Sequence, residues 1–301
     1  MGYLYLTLAL CFGLIKAYCG KRSSSVASSP YNAILINTVR MTICVLFGAI
    51  IVLISGISSF MDTSHELILI ALLSGVGSAA FTVSWLMAVN TNAYMIVEVF
   101  IMGGTIIPLT LSSILYHEKI ETIQVIGILI LLVAVYCMCT YRSREKIKLS
   151  LRSLLILLLC AISSGFADFS QKLYIRQITN ASISLFNLYT YIFAAITLFI
   201  IFLFIRVKAK EREKLTPAKK IVRPIIHYVV IMAICLFLNF YFKTNAAGHL
   251  DAILLYPLNQ GCAVVLSLLM SVVLFKEKTT LKGIVGIALS LVAMILINIS
   301  I

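Results

Sequence analysis

Six charged residues lie inside long apolar segments of this chain, where a charge is costly and therefore informative. They are Lys16, Arg40, Glu98, Asp168, Lys172 and Lys243. A charged side chain at bilayer depth costs at least ~2.5–3.5 kcal/mol on insertion scales, so it normally faces a partner or water. The set indicates either a polar pathway through a membrane or structural ion pairs, and both alternatives are open at this point.

The two acids in this set are the intramembrane groups that can exchange a proton near neutral pH once burial favours their neutral form. If the chain couples its work to protons, Glu98 or Asp168 is the carrier. Four bases against two acids leave the intramembrane region net positive. This balance favours an anionic or zwitterionic substrate over a lipophilic cation.

Two pairings are open for Asp168. Lys172 follows it by four residues, a spacing that permits an ion pair within one helix. Aligning Gly13 with Gly165 instead places Lys16 at the position of Asp168. The second alignment leads to the hypothesis that Lys16 and Asp168 pair in one access state and form part of a gate.

Neutral side chains on the same segments could shape a pocket around these charges. The candidates are Trp85, Asn239, Tyr256 and Gln260. Each also has a simpler interpretation, because amides hydrogen-bond between membrane helices and aromatic rings anchor helices at the membrane surface.

Composition identifies the solvent around these segments. Hydrophobic residues make up 61% of the chain and charged residues 12%, whereas soluble domains are about half apolar and a quarter charged. We therefore predict an all-α integral membrane protein with ten transmembrane helices, since about 20 apolar residues span a bilayer. The spans are near 2–20, 31–55, 66–89, 93–116, 122–141, 152–175, 182–206, 224–247, 252–275 and 281–300.

A charged turn followed by a glycine occurs twice, 159 residues apart: Glu118, Lys119 and Gly127, then Glu277, Lys278 and Gly286. Around these turns the two copies share eleven identities in 42 ungapped pairs. Internal repeats of this kind organise a fold. Five spans per copy is an odd number, so the second copy enters the membrane in the opposite sense. We expect two inverted five-helix repeats, at 1–147 and 148–301.

This pattern resembles the EamA-type, ten-helix branch of the drug/metabolite transporter superfamily. The family's usual Gly-Glu-Arg-Leu turn is replaced here by His117–Ile120 and Lys276–Thr279, and Tyr256–Leu258 is similar to the Pro-Leu that opens its ninth span. The fourth span has Val97–Val99 there instead. The resemblance implies transport by alternating access, with spans five and ten peripheral. Members of this superfamily carry amino acids, sugars, nucleotide sugars, cations and drugs, so the resemblance does not identify the substrate.

We therefore predict a secondary transporter of a small polar metabolite, with protons as an optional coupling ion and the lipid bilayer as its surroundings. One alternative is a membrane-embedded enzyme acting on a lipid head group, although the four histidines are scattered along the chain. The other alternative is a non-transporting membrane scaffold. The eight cysteines show no Cys-x-x-Cys or Cys-His ligand spacing, so we expect no disulfide framework and no metal site. We also expect no catalytic centre, no cofactor and no nucleic-acid partner, since most of the net charge of +13 lies in linkers next to anionic head groups.

Charge in the linkers predicts orientation. Eighteen of the 24 Lys and Arg residues lie in odd-numbered linkers and two in even-numbered ones. Because positive linkers stay on the cytoplasmic side, we expect both termini outside, in a bacterial plasma membrane. The family resemblance implies the opposite, with both termini in the cytoplasm. We follow the charge count because the two most basic linkers are short.

Overall fold

The computed structural model of the protein describes residues 1–27, 29–55, 63–91, 94–117, 121–139, 150–178, 182–210, 221–275 and 281–298. Within these ranges it is all-helical, without a strand. We number the helices α1 (Gly2–Ser24), α2 (Pro30–Ser55), α3 (His65–Thr91), α4 (Tyr94–Gly104), α5 (Ile106–Tyr116), α6 (Thr122–Cys139), α7 (Leu151–Gln177), α8 (Ile183–Lys210), α9 (Ile226–Ala247), α10 (Ala252–Val273) and α11 (Leu281–Asn298).

Serine hydroxyls fix the start of four helices. Ser29, Ser64, Ser150 and Ser182 each accept a hydrogen bond from the main-chain N–H three residues later, at 3.1–3.2 Å. Each bond satisfies a donor that the first helical turn leaves without an intrahelical partner, which stabilises the helix by about 1 kcal/mol.

The outer surface is apolar and the interior carries polar groups. Seven helical segments of the described chain are long and apolar enough to cross a bilayer, and two further apolar helices are shorter. On α2, Leu46, Ile50 and Leu53 are exposed in a stripe, whereas Asn37 and Arg40 are buried. A stripe of this kind on a helix surface faces lipid. The fold is therefore that of a membrane protein.

The fourth predicted span, at 93–116, is not one continuous helix. It breaks at Thr105, whose amide and hydroxyl both bond back to the main-chain oxygen three residues earlier, at 3.1 and 2.7 Å. The cause is readable from Pro108, because its ring lacks an N–H and clashes with the carbonyl of Gly104, four residues earlier. A side chain at Gly104 would also lie 2.2 Å from the main-chain oxygen of Ala161 on α7.

The helices pack in pairs: α1 against α9, α3 against α7, α6 against α11, and α2 against α8. α1 and α9 are antiparallel, because Gly2 lies against Leu250, just beyond the C-terminal end of α9. We call this end of the molecule the termini face. At the opposite end, the linker face, Lys21 Nζ donates to the main-chain oxygen of Val89 at 3.3 Å.

Both predicted Glu-Lys turns lie outside the described residues, as does the predicted repeat boundary at 147–148. The first turn follows directly on His117, which ends α5 in the left-handed conformation with a φ of 54°. That conformation is common just after a helix end, where glycine usually adopts it.

Candidate functional site

A cavity of about 100 Å³ lies between the helices in the middle of the membrane-spanning region. Its lining comes from α1, α3, α4, α7, α8, α9 and α10, so both halves of the chain contribute. Four of the six intramembrane charges predicted from sequence line it: Lys16, Glu98, Asp168 and Lys243. The volume is several times what one water molecule needs, and it suits a small polar ligand.

One end of the cavity holds a buried ion pair. Lys243 Nζ donates to Asp168 Oδ1 at 2.5 Å, and the two residues are 9% and 3% exposed. The hydroxyl of Tyr256 on α10 donates to the main-chain oxygen of Asp168 at 2.6 Å. We call these three residues the Asp168 cluster. Three helices therefore hold one carboxylate and its counter-ion in place.

The other end is arranged differently. Trp85 Nε1 donates to Glu98 Oε1 at 3.4 Å, and both residues are buried. Lys16 Nζ lies 6.0 Å from the centroid of the Phe81 ring, close enough for a cation–π contact. In the described part of the chain, the Lys16 ammonium has no carboxylate within ion-pair distance. We call Lys16, Phe81, Trp85 and Glu98 the Lys16 cluster.

A glycine on α1 makes room for the indole of this cluster. A Cβ added at Gly20 would lie 2.4 Å from ring carbon Cη2 of Trp85. Only a hydrogen fits between this helix and the ring, so α1 packs directly on Trp85. The indole N–H is thereby directed at Glu98.

The two clusters lie at different depths. Asn239 Nδ2 donates to the main-chain oxygen of Ala9 at 2.7 Å and lies 3.2 Å from an added Cβ at Gly13. Gly13 and Asn239 therefore lie at the same depth. Lys16 follows Gly13 by three residues toward the linker face, and Lys243 follows Asn239 by four residues toward the termini face. At 1.5 Å per residue the two lysines are about 10 Å apart along the membrane normal.

The intrahelical Asp168–Lys172 pair that the spacing permits is not formed, so that alternative was wrong for this conformation. Lys172 Nζ donates to the main-chain oxygen of Leu250 at 3.1 Å and lies 3.8 Å from Asp251 Oδ1. One turn closer to the termini face than Asp168, Lys172 meets the α9–α10 connection. It does not line the cavity.

Lys16 and Asp168 do not pair in this conformation either, because Lys243 holds the Asp168 carboxylate. The two residues line the same cavity and lie within electrostatic range of each other. The gate hypothesis requires that Lys16 and Asp168 pair in one access state, and they are apart in the conformation described. It stays a prediction for another state.

Arg40 stands apart from the cavity. It is 1% exposed and is not part of the lining, and its electrostatic neighbours include Cys44 and Tyr191. Its Nε and Nη1 atoms have no hydrogen-bond partner among the described residues. Tyr191 does line the cavity, so Arg40 lies behind that part of the wall.

Three of the four neutral candidates line the cavity, namely Trp85, Asn239 and Gln260. Tyr256 does not, and it contacts the site through Asp168. Sequence reasoning missed Ser78, Phe81 and Thr82, which line the cavity from α3. Their signal was present, since these positions and Trp85 recur at helical spacing along one face of α3.

Comparison with known proteins agrees with this architecture. A family model described as the EamA-like transporter family matches residues 151–299. A search of curated proteins finds no match. A solved structure titled "Crystal structure of protein" is 16% identical, with a TM-score of 0.68 over 98% of this chain and 95% of that one. At this identity the likeness shows the fold alone.

The sequence signals and this match identify the family together. The duplicated spans and the repeated turn-and-glycine pattern predicted the same family, and the matched segment lies within the predicted second repeat. Residues 151–299 form an EamA-like transporter family domain, consistent with the drug/metabolite transporter superfamily.

Proposed function

We propose that this protein is a secondary transporter that moves a small anionic or zwitterionic metabolite across the membrane by alternating access. The observation that carries the proposal is a cavity between the two halves, lined by two buried acids, the buried Lys243 and the partly buried Lys16. Intramembrane charges of this kind mark substrate and proton pathways. Family membership supports transport over a membrane enzyme or a scaffold.

We further propose that the ten spans, with α4 and α5 counted as one, form two inverted five-helix repeats at 1–147 and 148–301. The Lys16 cluster comes from spans one, three and four, and the Asp168 cluster comes from spans six, eight and nine. These are equivalent spans if the chain is duplicated. The packing of α1 on α9 also corresponds to that of α7 on α3. Sites between such repeats are typical of secondary transporters.

The charge balance at the site sharpens the substrate class. Of the four intramembrane bases, Lys16 and Lys243 line the cavity, so the lining is balanced with Glu98 and Asp168. Lys243 is already neutralised by Asp168. We propose that the carboxylate of the substrate binds the Lys16 ammonium.

The ion pair supplies a route to proton coupling. If Lys243 leaves Asp168 during the transport cycle, a carboxylate stays buried without its counter-ion, which is strongly unfavourable. Uptake of one proton removes that charge. We propose that separation of this pair is linked to protonation of Asp168, and that its re-formation releases the proton.

The orientation proposed from linker charge assigns sides to the two clusters. Odd linkers in the cytoplasm and termini outside would place the Lys16 cluster toward the cytoplasm and the Asp168 cluster toward the exterior. A C-terminal alkaline phosphatase fusion should then be active, because that enzyme requires an oxidising compartment. An inactive phosphatase fusion beside a fluorescent C-terminal fluorescent-protein fusion would reverse the assignment.

A binding screen followed by transport tests the function. Trp85 is the only tryptophan in the chain and it lines the cavity, so its fluorescence reports occupancy. We expect a small carboxylate or amino-carboxylate from a metabolite library to change this fluorescence and raise the Tm. The same compound should enter proteoliposomes that contain the protein. Lys16→Met should abolish both effects.

The alternatives predict other outcomes. A ligand that binds but is chemically converted, without uptake, would indicate the membrane enzyme. No binding and no uptake of any compound would indicate the scaffold. If Lys16→Met takes up the compound as fast as the wild type, the protein is a transporter but Lys16 does not bind the carboxylate.

A further inference from the structure

The interface of α2, α3 and α8 holds buried polar atoms that have no hydrogen-bond partner among the described residues. They belong to Asn37, Arg40, Ser74, Asn187 and Thr190. Buried polar groups in folded proteins are nearly always hydrogen-bonded, so each exception needs a physical explanation. Here the unpartnered atoms belong to five residues on three helices that pack on one another.

Contacts between these helices place the groups along one interface. Asn37 Nδ2 donates to the main-chain oxygen of Thr82 at 3.1 Å, which sets α2 against α3. A Cβ added at Gly75 would lie 2.7 Å from the main-chain oxygen of Thr190, which sets α3 against α8. Arg40 has the next residue, Tyr191, as an electrostatic neighbour. Measured along the helix axes from the Asn37–Thr82 contact, Arg40 lies three residues away, about 4.5 Å, and Ser74 lies eight residues away, about 12 Å.

Arg40 requires more than hydrogen bonds. Its guanidinium stays protonated in proteins, and its described electrostatic neighbours include no carboxylate that compensates the charge. Water satisfies donors but does not neutralise a buried charge. A buried guanidinium whose N–H groups have no partner among the described residues is a donor set for an anion, and it binds carboxylates and other oxyanions well.

We propose that Arg40 binds a small monoanion in the interface of α2, α3 and α8, behind the Tyr191 wall of the cavity. The ligand is either an inorganic monoanion such as chloride or the carboxylate group of a small organic acid. Arg40 is an electrostatic neighbour of Lys16 but does not line the cavity, so the two cations offer different positions for an anion. The proposal does not depend on the protein being a transporter.

The test uses purified protein in detergent, dialysed into a low-salt zwitterionic buffer that contains no halide and no carboxylate. Chloride, bromide or formate is then titrated in and the Tm is followed. We expect a saturable rise in the Tm of the wild type with at least one of these anions. Arg40→Gln should lose the rise, and Arg40→Lys should retain part of it because it keeps the charge. Arg152→Gln, which removes an exposed cation at the start of α7, should leave the rise unchanged.

The two sources of the anion give different results. A response to chloride and bromide identifies an inorganic anion, whereas a response to formate alone identifies a carboxylate. No response of the wild type to any of the three anions overturns the proposal, and so does an equal response in Arg40→Gln. If Arg40→Gln does not fold, an unaltered anion affinity in Arg40→Lys overturns it. These outcomes leave the transport assay unaffected, so failure here is distinct from failure of the proposed function.

Discussion

The two ends of the cavity differ in how their charges are compensated. In the Asp168 cluster a lysine and an aspartate from different helices meet at 2.5 Å, and a tyrosine holds the backbone of the acid. In the Lys16 cluster the acid accepts a longer bond from an indole, at 3.4 Å, and the lysine lies against an aromatic ring. One end is completed by the protein's own residues, and we propose that the other is completed by a ligand.

The largest expected effect compares the two lysines. Lys243→Met leaves Asp168 as a buried carboxylate without its ion partner, so we expect a loss of about 3–5 kcal/mol in unfolding free energy. Lys16→Met leaves no described ion pair broken, so its loss should stay below about 1 kcal/mol. Thermal unfolding of both variants in detergent measures the difference.

The double variant Asp168→Asn with Lys243→Met is the control for this comparison, because it removes both charges together. It should recover much of the stability that Lys243→Met loses. Equal destabilisation by the two single lysine variants would show that the ends of the cavity are not energetically different.

A second prediction concerns the packing that holds the Lys16 cluster. Gly20→Ala places a methyl group 2.4 Å from the Trp85 ring, and overpacking of this kind costs about 1–3 kcal/mol. We expect a lower Tm and altered Trp85 fluorescence. Gly248→Ala is the matched control, since its added Cβ would meet no atom closer than 3.4 Å. Identical fluorescence in Gly20→Ala and the wild type would show that α1 does not position the indole.

A third prediction concerns the tyrosine that holds Asp168. Tyr256→Phe removes one buried hydrogen bond, so the unfolding free energy should fall by about 1 kcal/mol. Because Asp168 is proposed to exchange the proton, this variant should also weaken proton-driven uptake. Tyr189→Phe loses a comparable bond to Thr63 away from the cavity, and its transport should be normal. Equal transport defects in both variants would remove the special role of Tyr256.

The smallest expected effect lies outside both clusters. His117 ends α5 with a φ of 54°, a conformation that strains residues with a side chain. His117→Gly relieves this strain, but glycine loses more conformational entropy on folding. The net result should be a gain of about 0.5 kcal/mol in unfolding free energy. Substrate uptake should not change. A lower Tm would show that the imidazole makes a stabilising contact that outweighs the strain.

Much of the site was readable from sequence, because charges in apolar segments are few and costly. That argument selected six residues, and four of them line the cavity: Lys16, Glu98, Asp168 and Lys243. Arg40 and Lys172 do not. It did not give the pairing of Asp168 with Lys243. Spacing along one helix is visible in sequence, whereas the register between α7 and α9 is set by packing.

The break in the fourth span is a second feature that depends on packing between distant segments. Pro108 was present in the sequence, but whether its helix bends or stops depends on what packs against it. Here α7 approaches so closely at Gly104 that only hydrogen fits. Such close approaches between distant segments are tertiary facts, and a pattern in one segment does not contain them.

The central claim is that a substrate enters the Lys16 end while the Asp168–Lys243 pair controls a proton. The most direct test is uptake in proteoliposomes of the compound found by Trp85 fluorescence, with proton movement followed by an entrapped pH dye. We predict proton entry with the substrate in the wild type. In Asp168→Asn, substrate exchange should persist while uphill uptake driven by a pH gradient is lost. Uphill uptake in Asp168→Asn equal to that of the wild type would contradict the account.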